Sequence, residues 1–278
     1  IFKFYKKKNP GDYRNEGANQ SYKELILFLD SDIEITKNTK DFLNHNISHI
    51  NENEIFWGQY ENSNNFSLLQ SLQINILRYR FSKNFYEHAV KKNIPYCGQS
   101  SHFLISKKLF NKIGGFNPYL RMREDNDFCI RAKLAEAKNI FHEKFEALHL
   151  KKFDIFTDYF VKPHLATRVK VLEPKIFNQP SSQIGPSLFF QWLIFPILLI
   201  LALSLNISTI FNVSALTLYL LSNIFFLPRE LKSMMTYKEK ILYSIICPLI
   251  GLCFTSGGLT GVLSGCYLKI RSFIKFVT

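Results

Sequence analysis

Charge is absent from two long stretches of this 278-residue chain. No Asp, Glu, Lys or Arg occurs from Ile176 to Pro228, and none from Ile241 to Leu268. Residues 188–278 carry seven basic and two acidic residues, so the chain divides into a mixed, modestly basic part and an apolar part with basic punctuation. Cysteine is also scarce. The five cysteines show no CxxC spacing and three lie in the apolar part, which argues against a paired-thiolate zinc site and a disulfide framework; a reduced, cytoplasmic first part is expected. No internal repeat or low-complexity segment is present, and the start, Ile1 rather than Met, does not read as a signal peptide. Acidic residues are the minority, 22 against 35 basic, a formal charge of +13. A basic excess suits nucleic acid or an anionic membrane surface. Beside apolar segments, and with no aromatic-basic motif of nucleic-acid type, the membrane is favoured and no nucleic-acid partner is expected.

What is present first is alternation. Asp12–Tyr22 reads as a short helix, Leu25–Leu29 as a strand, Lys37–Ile50 as a helix and Ile55–Tyr60 as a strand. Phe66 to about Val90 reads as one long helical segment, Tyr96–Ser106 as a loop and strand, and Lys107–Ile113 as a short helix ended by Gly114-Gly115. Glu124–Ala137 has acids first and bases later, as a helix dipole favours, and one or two strands follow in Asn139–Leu150. Such a series predicts an α/β domain.

Three sets of residues carry chemistry. In ELILFLDSDIEI, Glu24 to Ile35, five apolar residues run into Asp30-Ser31-Asp32. The run predicts a strand buried on both faces. The two carboxylates at its exit repel each other unless a cation lies between them. Ligands bind at the carboxyl ends of such strands, and hard oxygens suit Mg²⁺ or Mn²⁺ shared with phosphates. An isolated pair of this kind equally forms a turn or a helix cap. Glu124-Asp125 opens a predicted helix, where a carboxylate either caps backbone N–H groups or serves as a general base. His149 ends a predicted strand, and is either structural or a partner for metal or diphosphate.

Taken in order, YRNEGA (Tyr13–Ala18), LILFLDSD (Leu25–Asp32), GGFNPYLRMREDNDFCIRA (Gly114–Ala132) and ALHL (Ala147–Leu150) resemble the family 2 glycosyltransferases with a GT-A fold. The resemblance covers about Asp12 to Leu150. It implies a Rossmann-like mixed sheet flanked by helices, and inverting transfer of a sugar from a nucleotide-sugar donor to a lipid-linked or saccharide acceptor. By position, Asp32 would bind the metal, Mg²⁺ or Mn²⁺, with Asp30 near it or the nucleoside. Asp125 would be the catalytic base with Glu124 beside it, and His149 would assist at the metal or diphosphate. Gly98 and Gln99 would line the sugar pocket, and Arg14 would shape the nucleotide side. The family's opening strand, of the type VSVVIPTYN, and the helix and strand after it do not precede Asp12. The chain is therefore expected to be N-terminally incomplete; the alternative is a truncated, non-catalytic membrane-anchored binding module. No QxxRW string follows Asp125, which implies single addition.

The expected organisation is a GT-A-like catalytic domain over 1–150, an amphipathic interfacial helix and linker over 151–187, and a membrane domain over 188–278. Lys151–Leu172 mixes aromatics with Lys and Arg at helical spacing, which suits a headgroup-level helix or a surface helix closing the domain. C-terminal transmembrane helices are expected at 188–205, 210–227 and 241–268, the first two at about 18 residues each being long enough to span; the third either crosses, which would put Lys269, Arg271 and Lys275 outside, or is a re-entrant or interfacial piece. Basic residues at 229–240 place that segment and the catalytic domain inside, which predicts a multi-pass protein of the inner, cytoplasmic membrane in contact with its lipids.

Overall fold

The computed structural model describes residues 9–93, 100–152, 154–172, 209–225 and 227–277. The described residues divide into two compact units, 9–62 with 80–151, and 63–79 with 152–172 and 209–277. In chain order the helices are α1 (Pro10–Gln20), α2 (Lys37–Asn46), α3 (Leu68–Arg80), α4 (Lys83–Lys91), α5 (Lys107–Ile113), α6 (Glu124–Leu134), α7 (Lys162–Leu172), α8 (Thr209–Phe225), α9 (Arg229–Met234) and α10 (Tyr237–Val277). The strands are β1 (Leu25–Leu29), β2 (Ile33–Ile35), β3 (Glu54–Glu61), β4 (His102–Ser106) and β5 (Lys138–His149).

The first unit is a mixed α/β fold whose central sheet is flanked by helices, with strand order β1-β4-β3-β5-β2. The β3–β5 pair is parallel and the other pairs are antiparallel. Both faces of β1 are covered, as its apolar run predicts. Ile26 and Phe28 join Trp57, Phe103, Phe110, Phe116 and Phe128 in one cluster, while Leu25 and Leu27 pack on Phe42, Phe56, Leu104 and Phe145 on the other face. The first cluster is held by rings: Phe28 and Trp57 stack on either side of Phe103 at 4.6 and 4.7 Å, and Phe116 stacks on Phe128 at 4.8 Å. Each buried ring contributes roughly 1.5–3 kcal/mol. Because Phe116 and Phe128 belong to the loop and helix that follow α5, the same core fixes the approach to Glu124.

The sheet forks. β3 pairs with β4 only over Ile55–Trp57, then continues with β5 from Gln59 to Glu61. The change falls at Gly58, where an added Cβ would collide with the Phe145 carbonyl. Beyond that point β3 stays with β5 and β2 in one arm, while the other arm, β1 with β4, keeps a single further pair, Leu29 with His102. Only Asp30-Ser31-Asp32 joins the outer strands of the two arms, a span of at most about 14 Å. The short β2 escapes sequence reading because three residues carry no periodicity.

The long segment expected over 66–90 is instead two helices, α3 and α4. The break at Phe81-Ser82 lies where the chain passes from the second unit to the first. Cys129, expected as a reduced thiol, is disulfide-bonded.

The second unit is helical. α10 runs unbroken for 41 residues and starts with a reciprocal cap: Glu239 N–H donates to Thr236 Oγ1 and Thr236 N–H to Glu239 Oε2, while buried Asn75 donates to the other oxygen of Glu239 at 3.0 Å. α7 follows a π-helical turn at Thr157–Val161 and lies against Gly257, Gly261 and Gly265 of α10. A Cβ at these glycines would meet the carbonyls of Phe160 and His164 and the side chain of Val171. Thr167 Oγ1 reaches the Gly258 carbonyl at 3.0 Å. The glycine-rich centre of 241–268 is thus a packing seam inside one helix.

No helix among the described residues is long and apolar enough to cross a membrane. The spans expected at 210–227 and 241–268 are therefore without support: α8 has 17 residues, and α10 carries the small and polar run Thr255-Ser256-Gly257-Gly258 at its middle. The span at 188–205 and the linker at 173–187 lie outside the described residues.

Candidate active site

Asp30, Ser31 and Asp32 form a tight turn pinned on both sides. The Asp30 N–H donates to the Ser101 carbonyl at 2.9 Å, and the Ile33 N–H closes the turn onto the Asp30 carbonyl at 3.1 Å. The Asp32 carbonyl accepts from the Leu150 N–H at 2.8 Å. Pairing of β2 with β5 sets Ile33 opposite His149, so the imidazole stands one residue from the second aspartate in register.

α1 supplies the link to the second acidic pair. Arg14 Nη2 donates to Asp30 Oδ1 at 2.7 Å and Nη1 to Glu124 Oε1 at 2.8 Å, so one guanidinium bridges the exit of β1 and the start of α6. Burial alone would lower the Arg14 guanidinium, yet the two carboxylates hold it above its ordinary value. Burial raises the Glu124 carboxyl, as does Asp125 beside it, while Arg14 opposes the rise. The neighbouring Asn15 clamps the loop before α6. Its Nδ2 donates to the Phe116 carbonyl at 2.7 Å and its Oδ1 accepts from the Phe116 N–H at 2.8 Å. Gly115 permits this approach: its φ is +66°, and a Cβ there would stand 2.7 Å from Asn15 Oδ1.

Asp125 is half-buried at the start of α6, where its Oδ1 accepts from the Asn126 N–H at 2.8 Å. The residue that caps this helix is Arg123, held at φ +71° without the freedom of a glycine. Backbone in this region costs on the order of 1–3 kcal/mol, and such positions cluster at sites of function. Asp127 is committed elsewhere. It bonds Arg131, which in turn donates to the carbonyls of Ile113 and Gly115.

Beneath the turn lies Tyr60, buried at the end of β3. Its hydroxyl is 2.5 Å from Ser101 Oγ, and its ring meets His149 edge-on at 5.1 Å and His102 at 5.2 Å. Burial raises the phenol far above its ordinary range, and the charges of Asp30, Asp32 and Asp125 push it further the same way. The charges of three carboxylates, two on the Asp30–Asp32 turn and one at the start of α6, are thus felt at one buried hydroxyl. His102 is buried and held neutral, its value lowered to about 4 by burial and by His149.

The structure thus brings together Arg14, Asp30, Asp32, Glu124, Asp125 and His149. Gly98 and Gln99 lie outside the described residues. Among the described residues no group of three or more His, Cys, Asp or Glu could hold a metal ion by itself, and Asp30 Oδ1 already faces Arg14. What the turn offers is two carboxylates, hard oxygens of the kind that suit a cation bringing phosphate oxygens with it. Sequence reading missed Asn15, Tyr60, Ser101 and His102. Asn15 stands next to Arg14 in the YRNEGA motif and could have been found there. Tyr60 gave no signal, because a tyrosine ending an apolar strand reads as core.

The family model described as glycosyltransferase like family 2 matches residues 3–160. Among solved structures, the crystal structure of S. aureus TarS residues 1–349 is 18% identical, covers 90% of this chain and 70% of that chain, and gives a TM-score of 0.31. No curated protein matches the chain.

Proposed function

The chain belongs to glycosyltransferase like family 2, and we propose that it is an inverting transferase of GT-A type. It moves a sugar from a nucleotide-sugar donor to a hydroxyl of a saccharide or lipid-linked acceptor. The observation that carries this reading is the bridge made by Arg14, whose guanidinium ties the Asp30–Asp32 turn to Glu124 beside Asp125 at the start of α6.

The roles follow from what each group is bonded to. Asp125 takes the proton from the acceptor hydroxyl as it attacks the anomeric carbon in line. A double displacement needs a second carboxylate to attack the sugar. Glu124 and Asp127 are each held by an arginine, as is one oxygen of Asp30, so single displacement with inversion is favoured. Glu124 and Arg14 keep the start of α6 facing the Asp30–Asp32 turn. Mg²⁺ or Mn²⁺, when bound, would supply charge neutralisation for the leaving diphosphate, and Asp32 and the second oxygen of Asp30 are the groups that would hold it, since among the described residues His149 does not complete a three-residue set with them. Tyr60 and His102, both uncharged, leave the negative charge of the turn available to the cation.

Attachment to the cytoplasmic face of an inner membrane is part of the same reading. It is supported by apolar side chains open on the second unit, among them Leu218 at 68%, Phe225 at 74%, Leu263 at 61% and Tyr267 at 63% exposure. The charge-free 188–205, outside the described residues, adds a stretch long enough to span.

The test uses the full chain with a panel of radiolabelled UDP- and GDP-sugars and a membrane extract as acceptor. Asp125→Asn is expected to bind nucleotide as the wild type does and to lose transfer by at least about 100-fold. Normal transfer by that variant removes the base assignment. No nucleotide binding by the wild type sinks the transferase and leaves a binding module.

A further inference from the structure

We propose that Tyr60 is the positioning residue of this site: it fills the fork of the sheet and, through Ser101, sets the spacing between the Asp30–Asp32 turn and His149. The inference deepens the donor-binding reading above and rests on it for its functional consequence.

The fork creates the need. β3 leaves β4 at Gly58, so the β1–β4 arm and the β2–β5 arm have no ladder between them at the end where the turn crosses. Tyr60 is the second residue past that point and is 1% exposed. Its backbone belongs to the β5 arm, paired with Ala147, and its ring lies edge-on to His149 of the same arm. Its hydroxyl reaches across to Ser101, which immediately precedes β4. Ser101 then holds the turn directly, because its carbonyl accepts the Asp30 N–H. The other end of the turn is held by Leu150, next to His149. Tyr60 therefore touches Ser101, which holds one end of the turn, by a hydrogen bond, and His149, next to the Leu150 that holds the other end, by ring contact. A ring at this place keeps the arms apart and a hydroxyl keeps them tied. The ring also rests on His102, whose Nδ1 is 3.4 Å from the same Ser101 Oγ.

The test is hydrogen exchange by mass spectrometry on the full chain, reading peptides over 28–34 and 146–151, with 103–113 as the internal reference. Tyr60→Phe removes the hydroxyl and keeps the ring. It is expected to speed exchange over 28–34 by roughly fivefold, the effect of one lost hydrogen bond, while 146–151 and 103–113 stay as in the wild type. Ser101→Ala is expected to match it, and the double variant to be no faster than either single one. Tyr60→Leu, which also removes the ring edge, is expected to speed 146–151 as well. Adding UDP or GDP with Mn²⁺ should slow 28–34 in the wild type, and Tyr60→Phe should need roughly tenfold more nucleotide for the same protection. Exchange over 28–34 that is unchanged in Tyr60→Phe, or that rises equally over 103–113, overturns the proposal. Protection by neither nucleotide in the wild type counts against the donor reading, and the variants' local exchange still decides the tie.

Discussion

Arg14 and Glu124 stand 110 residues apart in the chain and share a 2.8 Å ion pair, and the same guanidinium holds Asp30 at 2.7 Å. Removing one partner of a buried pair costs about 3–5 kcal/mol. The cost is reduced here because the Asp30 side chain is 38% exposed. Arg14→Met is expected to destabilise the first unit by about 2 kcal/mol, read as a lower urea midpoint. Arg14→Lys should recover only part of this, since an ammonium cannot reproduce the fork that spans both carboxylates.

Arg14 goes to Asp30 and Glu124, so Asp32 is the carboxylate of the turn that this guanidinium does not hold. Titration of the full chain with UDP and GDP is expected to be tighter with Mn²⁺ than with a chelator. In Asp32→Ala the two curves should coincide. A variant that keeps the metal-dependent difference would show that the cation is held elsewhere.

His102 links stability to acid. Its folded value of about 4 lies below the ordinary 6.5 because burial, and then His149, disfavour the charged form. The unfolded chain therefore binds the extra proton first. The stability this neutral imidazole contributes is full above about pH 6.5 and is lost as pH falls towards 4, by about 3 kcal/mol at most. Urea unfolding at several pH values, followed by tryptophan fluorescence, should show this slope, and His102→Leu should flatten it.

Gly115→Ala combines a backbone at φ +66° with a Cβ 2.7 Å from Asn15 Oδ1. The expected loss is about 2 kcal/mol. Because Asn15 would be displaced from Phe116, transfer should fall more than stability alone explains. Asn15→Ala should reproduce the fall in transfer without the backbone strain.

The apolar run at Leu25–Leu29, the acidic turn after it and the charge-led start of α6 could all be read directly, since each is a local pattern of hydrophobicity or charge. His149 could be placed at the end of a strand for the same reason. The C-terminal helices were harder. Hydropathy counts residues, and it could not foresee that Gly257, Gly261 and Gly265 serve a close seam with α7. β2 was too short to show a period. Tyr60 looked like any core aromatic, because its importance lies in which strand it leaves and which it joins.

By itself, then, the order of residues determined which segments become strands and helices and which acids stand at their ends, because those depend on neighbours a few positions away. Tertiary structure alone decided that the sheet forks at Gly58, that Arg14 bridges Asp30 to Glu124, and that Tyr60 stands between Ser101 and His149. Those relations join residues tens of positions apart, and only the packing of one sheet around a shared aromatic core brings them within hydrogen-bonding reach.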